Sequence, residues 1–161
     1  MCVTMLLAGC GTYHNYQTNN STAFAGSKLF VAIGAPFVGV HDTDAARLTA
    51  VAFADAAKQR YDYVRLADAY STLEGDLNMA RAAHCDVLMR PTVLVWQDNA
   101  TPWSGKPDQV EFEVEIYSVA SDSVISTVDV KDSGGFFDSD NVHPQDLLQK
   151  TFTKFFAETA K

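Results

Sequence analysis

The chain is expected to fold as a single α/β domain: a mixed parallel and antiparallel sheet of about five strands packed with three helices, in the order β-α-β-α-β-β-β-α. Three observations predict it. Short apolar runs alternate twice with amphipathic helical stretches in the first half, the pattern of parallel crossovers. A strictly alternating stretch, "QVEFEVEIYSV", is followed after a turn by a second β-rich run, the pattern of an antiparallel hairpin. A length of 161 residues with 47% hydrophobic composition suits one ordinary core and not two.

"KLFVAIGAPF" is a compact apolar run with β-branched residues, bounded by Gly34 and Pro36, and is expected as a buried first strand. In "HDTDAARLTAVAFADAAKQRY", Asp42 or Thr43 is the candidate N-cap, and Ala46, Ala50, Phe53, Ala57 and Tyr61 fall on one helical stripe. "YDYVRLA" follows as a short second strand. "STLEGDLNMARAAHC" is a second helix in which Ser71 and Glu74 have the spacing of a capping box and Leu73, Leu77, Ala80 and His84 share a face.

"DVLMRPTVLVWQD" is nearly continuous in apolar residues, as a central strand covered on both faces would be, with a bulge or a missing donor expected at Pro91. Then Val110, Phe112, Val114 and Ile116 alternate with Glu111, Glu113 and Glu115, marking a strand with one face buried and one in water. Ser121 to Ser123 supply a turn, and "VISTVDVKDSGG" is the return strand. In "HPQDLLQKTFTKFFAETAK", Pro144 suits a first helical turn, and Leu148, Phe152, Phe155 and Phe156 form the apolar face of a closing helix.

The formal net charge of -8 argues against a nucleic-acid partner, which would require a basic surface to displace counterions from phosphates. No apolar run approaches the roughly 20 residues of a membrane-spanning helix. At the N-terminus, Leu7-Ala8-Gly9-Cys10 resembles the bacterial lipoprotein box, in which the cysteine takes a diacylglyceryl thioether and becomes the first residue after cleavage. No Lys or Arg precedes Cys10 and the apolar part is short, so the true start is expected upstream of Met1. The expected organisation is a signal remnant at 1–9, a lipidated Cys10 with a flexible, uncharged tether over 10–27, and the domain over 28–161. The other reading of this stretch is a buried first strand, with Cys10 as a small hydrophobe. Cys2 leaves with the leader, and Cys85 remains as a lone buried thiol with no internal disulfide partner.

The lipobox at Cys10, "DVLMRPTVLVWQDNATPWSGKPDQVEFEVEIYSV" and the closing "HPQDLL" together resemble a family of small Gram-negative lipoproteins known as a domain of unknown function. The element order is also similar to that of the N-terminal domain of TolB and the periplasmic part of the curli secretion lipoprotein CsgG. The resemblance implies no catalytic residues. With Gly11 and not Asp after the cysteine, it implies the outer membrane, with the domain on the periplasmic face.

The chain shows no nucleophile elbow, zinc-protease pair or Gly-rich phosphate loop, so no enzymatic activity and no cofactor are expected. His84 and Cys85 are sequence neighbours, which on a helix point about 100° apart, too far for a nucleophile and its base. Asp138, Asp140 and His143 in "FDSDNVH" are the weak metal candidates. An EF-hand beginning at Asp138 would place Gly and Glu where His143 and Gln149 stand, so capping and turn formation are the simpler role. His41 beside Asp42 and Asp44 is expected at a helix entrance.

The long excursion "WQDNATPWSGKPDQ" makes Trp96, Asp98 and Trp103 the candidate partner-binding residues, either as exposed contacts or with both indoles folded back over the sheet's end. The Glu111, Glu113 and Glu115 row is expected as a solvated face. The expected function is that of a non-enzymatic binding or assembly component of the envelope, with the membrane and an envelope protein as partners. The alternative is a periplasmic protein binding a small ligand or metal.

Overall fold

The computed structural model describes residues 13–18, 26–35, 40, 44–99, 108–133 and 143–159. The expected order β-α-β-α-β-β-β-α is present in full, and one further strand precedes it. That strand, β1 (Tyr13–Thr18), pairs antiparallel with β6 (Ser123–Ser133). It corrects the expectation of a flexible tether over 10–27: six of those residues add an edge strand, and the sheet has six strands in the order β1-β6-β5-β4-β2-β3.

Strand β2 (Leu29–Val31) lies between β3 (Val64–Leu66) and β4 (Val87–Gln97), parallel to both. The two crossovers therefore leave β2 and return past it in opposite directions. Because such crossovers are right-handed, their helices must cover opposite faces of the sheet. Helix α1 (Ala45–Ala57) joins α3 (Pro144–Thr159) on one face, and α2 (Leu73–Ala82) lies on the other. Strands β4, β5 (Gln109–Ser118) and β6 form an antiparallel meander.

The core lies under α1 and α3. Val110, Phe112, Val114 and Ile116 of β5 are all buried, as their alternation requires, together with Val128 and Val130 of β6. Phe53 from α1 meets Phe152 edge-on with centroids 5.0 Å apart, and Phe152 meets Phe112 of the sheet at 5.2 Å. Phe155 and Phe156 complete the cluster around Phe53. The expected α1 stripe is buried throughout, although the helix ends at Ala57 and Tyr61 is buried from the turn beyond it.

Local signals were displaced by one or two residues in three places. The N-cap of α1 is Asp44, and Asp42, Thr43 and His41 lie outside the described residues. The N-cap of α2 is Thr72, whose side chain accepts from Gly75 N, so the Ser71–Glu74 box does not form and Glu74 instead sits in the first turn, where a carboxylate favours the positive end of the helix dipole. Its last turn stops before His84, which adopts φ 53° and is exposed, so His84 does not share the apolar face with Leu77 and Ala80.

The irregularity of β4 falls between Val93 and Val95 and not at Pro91. Met89 O accepts from Ala32 N toward β2, so Pro91, two residues on, turns its missing donor to the same side, where β2 has already ended. Gly34 approaches there so closely that any side chain would collide with the Pro91 carbonyl.

The opposite face is not simply solvated. Arg90 is mostly buried beneath α2, donating through Nε to Asp76 Oδ2 at 3.0 Å, with Glu115 Oε2 3.5 Å from its Nη1. Asp76 is fully buried, and burial raises its carboxyl above the usual range against the pull of Arg90. Glu111 pairs with Lys131 at 3.3 Å. Glu113, by contrast, stands opposite Asp129 and beside Glu115, and partial burial together with these like charges lifts its carboxyl above the usual range.

Two outcomes follow from this packing. Phe53→Ala removes the ring shared by α1, α3 and the cluster and is expected to cost about 3–5 kcal/mol in chemical denaturation. Glu113→Gln removes a like-charge pair and is expected to stabilise the domain by about 0.2–1 kcal/mol at pH 7. Because the folded carboxyl titrates above its unfolded value, ionisation is what the native state disfavours. The gain should be complete at neutral pH and vanish as acidification protonates Glu113 in the wild type. A gain independent of pH would contradict the electrostatic account.

Candidate functional site

The described candidates, Trp96, Asp98 and His143, lie at one end of the sheet, where β4 and β6 finish and β1 and β5 begin. Gln97 is in register with Gln109, and Gln109 with Ser133, so the segments entering 100–107 and 134–142 leave from neighbouring strand ends. Asn99 N donates to the Asp108 carboxylate and closes the base of the first segment. Trp103, Asp138 and Asp140 lie outside the described residues.

Trp96 stands opposite Val110 on the α1/α3 face and is half-buried against the core, so its indole covers the end of the sheet. Two residues on, Asp98 is exposed, and its Oδ2 lies 3.3 Å from His143 Nδ1. The structure thus brings together two candidates that sequence reasoning placed in separate motifs, 45 residues apart. His143 is the entrance to α3: its N–H donates to Asp146 Oδ2 at 2.9 Å, and its carbonyl accepts from Asp146 N at 2.9 Å. Pro144 follows in the first turn, where its missing donor costs nothing.

Beneath this corner, Thr151 donates to Asp132 Oδ2 at 2.7 Å and is fully buried, clasping α3 to β6. The Asp98–His143 pair is solvent-accessible on both sides, so it contributes at most about 1 kcal/mol and serves to join two loop bases and not to hold the fold. Among the described residues, no three His, Cys, Asp or Glu side chains stand close enough to share a metal ion, and His143 is engaged with Asp98.

Cys85 sits just beyond α2, 6% exposed, with Sγ 3.9 Å from Ala83 O. Burial, reinforced by the charge of Asp86, pushes its thiol up to about 11, so it is uncharged at neutral pH. An uncharged, buried thiol is a poor nucleophile. The neighbouring His84 turns away through its left-handed backbone conformation into solvent. The described surface carries an exposed carboxylate–imidazole pair at one end, and charged rows on the α2 face.

Among curated proteins, none matches the chain significantly. Solved structures do share its fold. The PelC dodecamer from Paraburkholderia phytofirmans superposes with a TM-score of 0.74 at 15% identity, covering 93% of this chain and 98% of that one. Lipoprotein GNA1162 from Neisseria meningitidis gives a TM-score of 0.53 at 10% identity, covering 84% of this chain and 99% of that one. The hypothetical protein CT253 from Chlamydia trachomatis gives 0.53 at 9% identity, covering 83% and 96% respectively. The profile of the domain of unknown function DUF4823 matches residues 23–159, and the chain belongs to that family.

Proposed function

We propose that this protein is a lipoprotein of the Gram-negative envelope, anchored through Cys10 in the outer membrane on its periplasmic face, which acts by assembling with copies of itself and with other envelope proteins and not by catalysis. The observation that carries this reading is the end-to-end likeness to a PelC chain described as a dodecamer, supported by the likeness to a chain described as a lipoprotein. The sequence around Cys10 supplies the anchor. Two or three acyl chains, at about 0.8 kcal/mol per buried CH₂, hold such a protein on the membrane for its lifetime.

The anchor orients the domain. Tyr13 opens β1 only three residues after Cys10, a reach of about 10 Å at most. Tyr13 is in register with Lys131 near the end of β6. The end of the sheet bearing Asp98 and His143 therefore lies near the lipid surface; Trp96 and Asp98 stand at that end, and together with Trp103 of the segment that follows them in the chain they are the proposed partner contacts.

The test is the mass of the N-terminal peptide from protein expressed with its native upstream DNA and extracted from membranes, combined with crosslinking in cells. A peptide beginning at acylated Cys10 and recovery of a reproducible envelope partner, weakened by Trp103→Ala without loss of folding, are expected. An unmodified peptide retaining Met1 would overturn the anchor, and crosslinking that recovers nothing above background would overturn the assembly role.

A further inference from the structure

The sheet has two outer edges, and among the described residues no strand pairs with either. At one end is β3. Tyr63 O accepts from Leu29 N and Ala67 N donates to Val31 O, so residues 63, 65 and 67 turn their peptide groups toward β2. By the alternation of a strand, Val64 and Leu66 turn theirs outward. Beside this edge, on the α2 face, a groove of about 370 Å³ is lined by Phe30, Tyr63, Arg65, Leu66, Met79 and Ala83. Tyr63 and Tyr70 nearby are 42% and 58% exposed, large apolar surfaces of the kind that protein contacts cover. At the other end of the sheet is β1.

The directions of these edges are complementary. Strand β3 runs with β2 and β4, whereas β1 reaches β4 through three successive antiparallel pairings and so runs against β3. Through the registers of β2, β4, β5 and β6, Leu66 lies level with Thr18, so a second copy in the same orientation, slid by about four residues along the strands, presents its β1 antiparallel to β3 with both faces of the sheet continuous. Charge also matches. Arg65, in register with Phe30 and through it with Leu88, lies on the face that carries Glu113 and Asp129, and its side chain is 58% exposed. The opposed Glu113–Asp129 pair lies one and two strands in from β1, within about 10–15 Å of that edge, a range over which a cation is only partly screened.

We propose that copies of this chain assemble head to tail, β3 of one pairing antiparallel with β1 of the next through the outward groups of Val64 and Leu66, with Arg65 facing the neighbour's acidic sheet face. The proposal rests on the assembly reading above and names its surface. It is a heterologous contact, each copy using two different edges, which builds a ring when the rotation between copies closes. It also covers two backbone edges that would otherwise template uncontrolled pairing.

The experiment measures the mass of the full chain, extracted in detergent with its anchor, by sedimentation and native mass spectrometry, for wild type, Leu66→Pro and Arg65→Glu. Proline at position 66 deletes an outward N–H and leaves the β2 pairing donors of β3 intact. The expected result is a discrete oligomer for wild type, a monomer with native circular dichroism for Leu66→Pro, and dissociation at about tenfold higher concentration for Arg65→Glu. Should Leu66→Pro fail to fold, Arg65→Glu decides alone, since its side chain is exposed. A wild-type oligomer unaffected in the folded variants would overturn the β3–β1 contact and leave assembly through another surface standing. A wild type that is monomeric throughout would overturn the contact and self-assembly together, without touching the anchor, which the N-terminal mass tests separately.

Discussion

The position of β2 between β3 and β4 is the constraint on which the remaining architecture depends. Both connections are right-handed, and one runs outward from β2 while the other returns past it, so α1 and α2 are sent to opposite faces. Only one of those faces receives α3 as well. The aromatic cluster of Phe53, Phe112, Phe152, Phe155 and Phe156 fills the space between the two helices and the meander, and that face becomes the core. Among the described residues, the other face has the ten-residue α2 as its one helix. It can bury Asp76 and most of Arg90, and it leaves the carboxylates of β5 and β6 at partial exposure.

This asymmetry separates stability from recognition. The α1/α3 side has the apolar burial that a domain of this size needs, and two of its buried polar side chains, Thr151 and Asp132, bond to each other across the β6–α3 contact. The α2 side carries charges in rows, some compensated, as Glu111 is by Lys131 and Glu115 by Arg90, and one opposed pair, Glu113 with Asp129, that raises the energy of the isolated domain. Charge arranged in this way does little for folding. It does select the sign and position of whatever approaches the sheet.

Cys85 is the only described cysteine, and its thiol is held protonated by burial and by Asp86. His143 is tied into a helix entrance and paired with Asp98. The Asp98–His143 pair fixes the bases of two connecting segments at the end of the sheet where β1 begins.

The strands and helices were legible because each carries its own periodicity. The period-two alternation of Val110 to Ile116 with the glutamates, and the helical stripes of α1 and α3, are consequences of local geometry that any tertiary context preserves. Where a cap could sit at either of two adjacent hydroxyls, Ser71 or Thr72, the local signal was degenerate, and backbone geometry chose Thr72. The strand at Tyr13–Thr18 was illegible for a different reason. Its six residues, YHNYQT, carry no alternating apolar pattern, and only the open edge of β6 makes them a strand. The sequence by itself thus determined the family, the order of the elements from β2 to α3 and the apolar faces of α1, β5 and α3. The tertiary structure alone decided that β1 extends the sheet beyond β6, that Arg90 is buried against Asp76, and that Asp98 meets His143. Those contacts join residues far apart in the chain, and their formation depends on sheet order and crossover handedness, which no local period encodes.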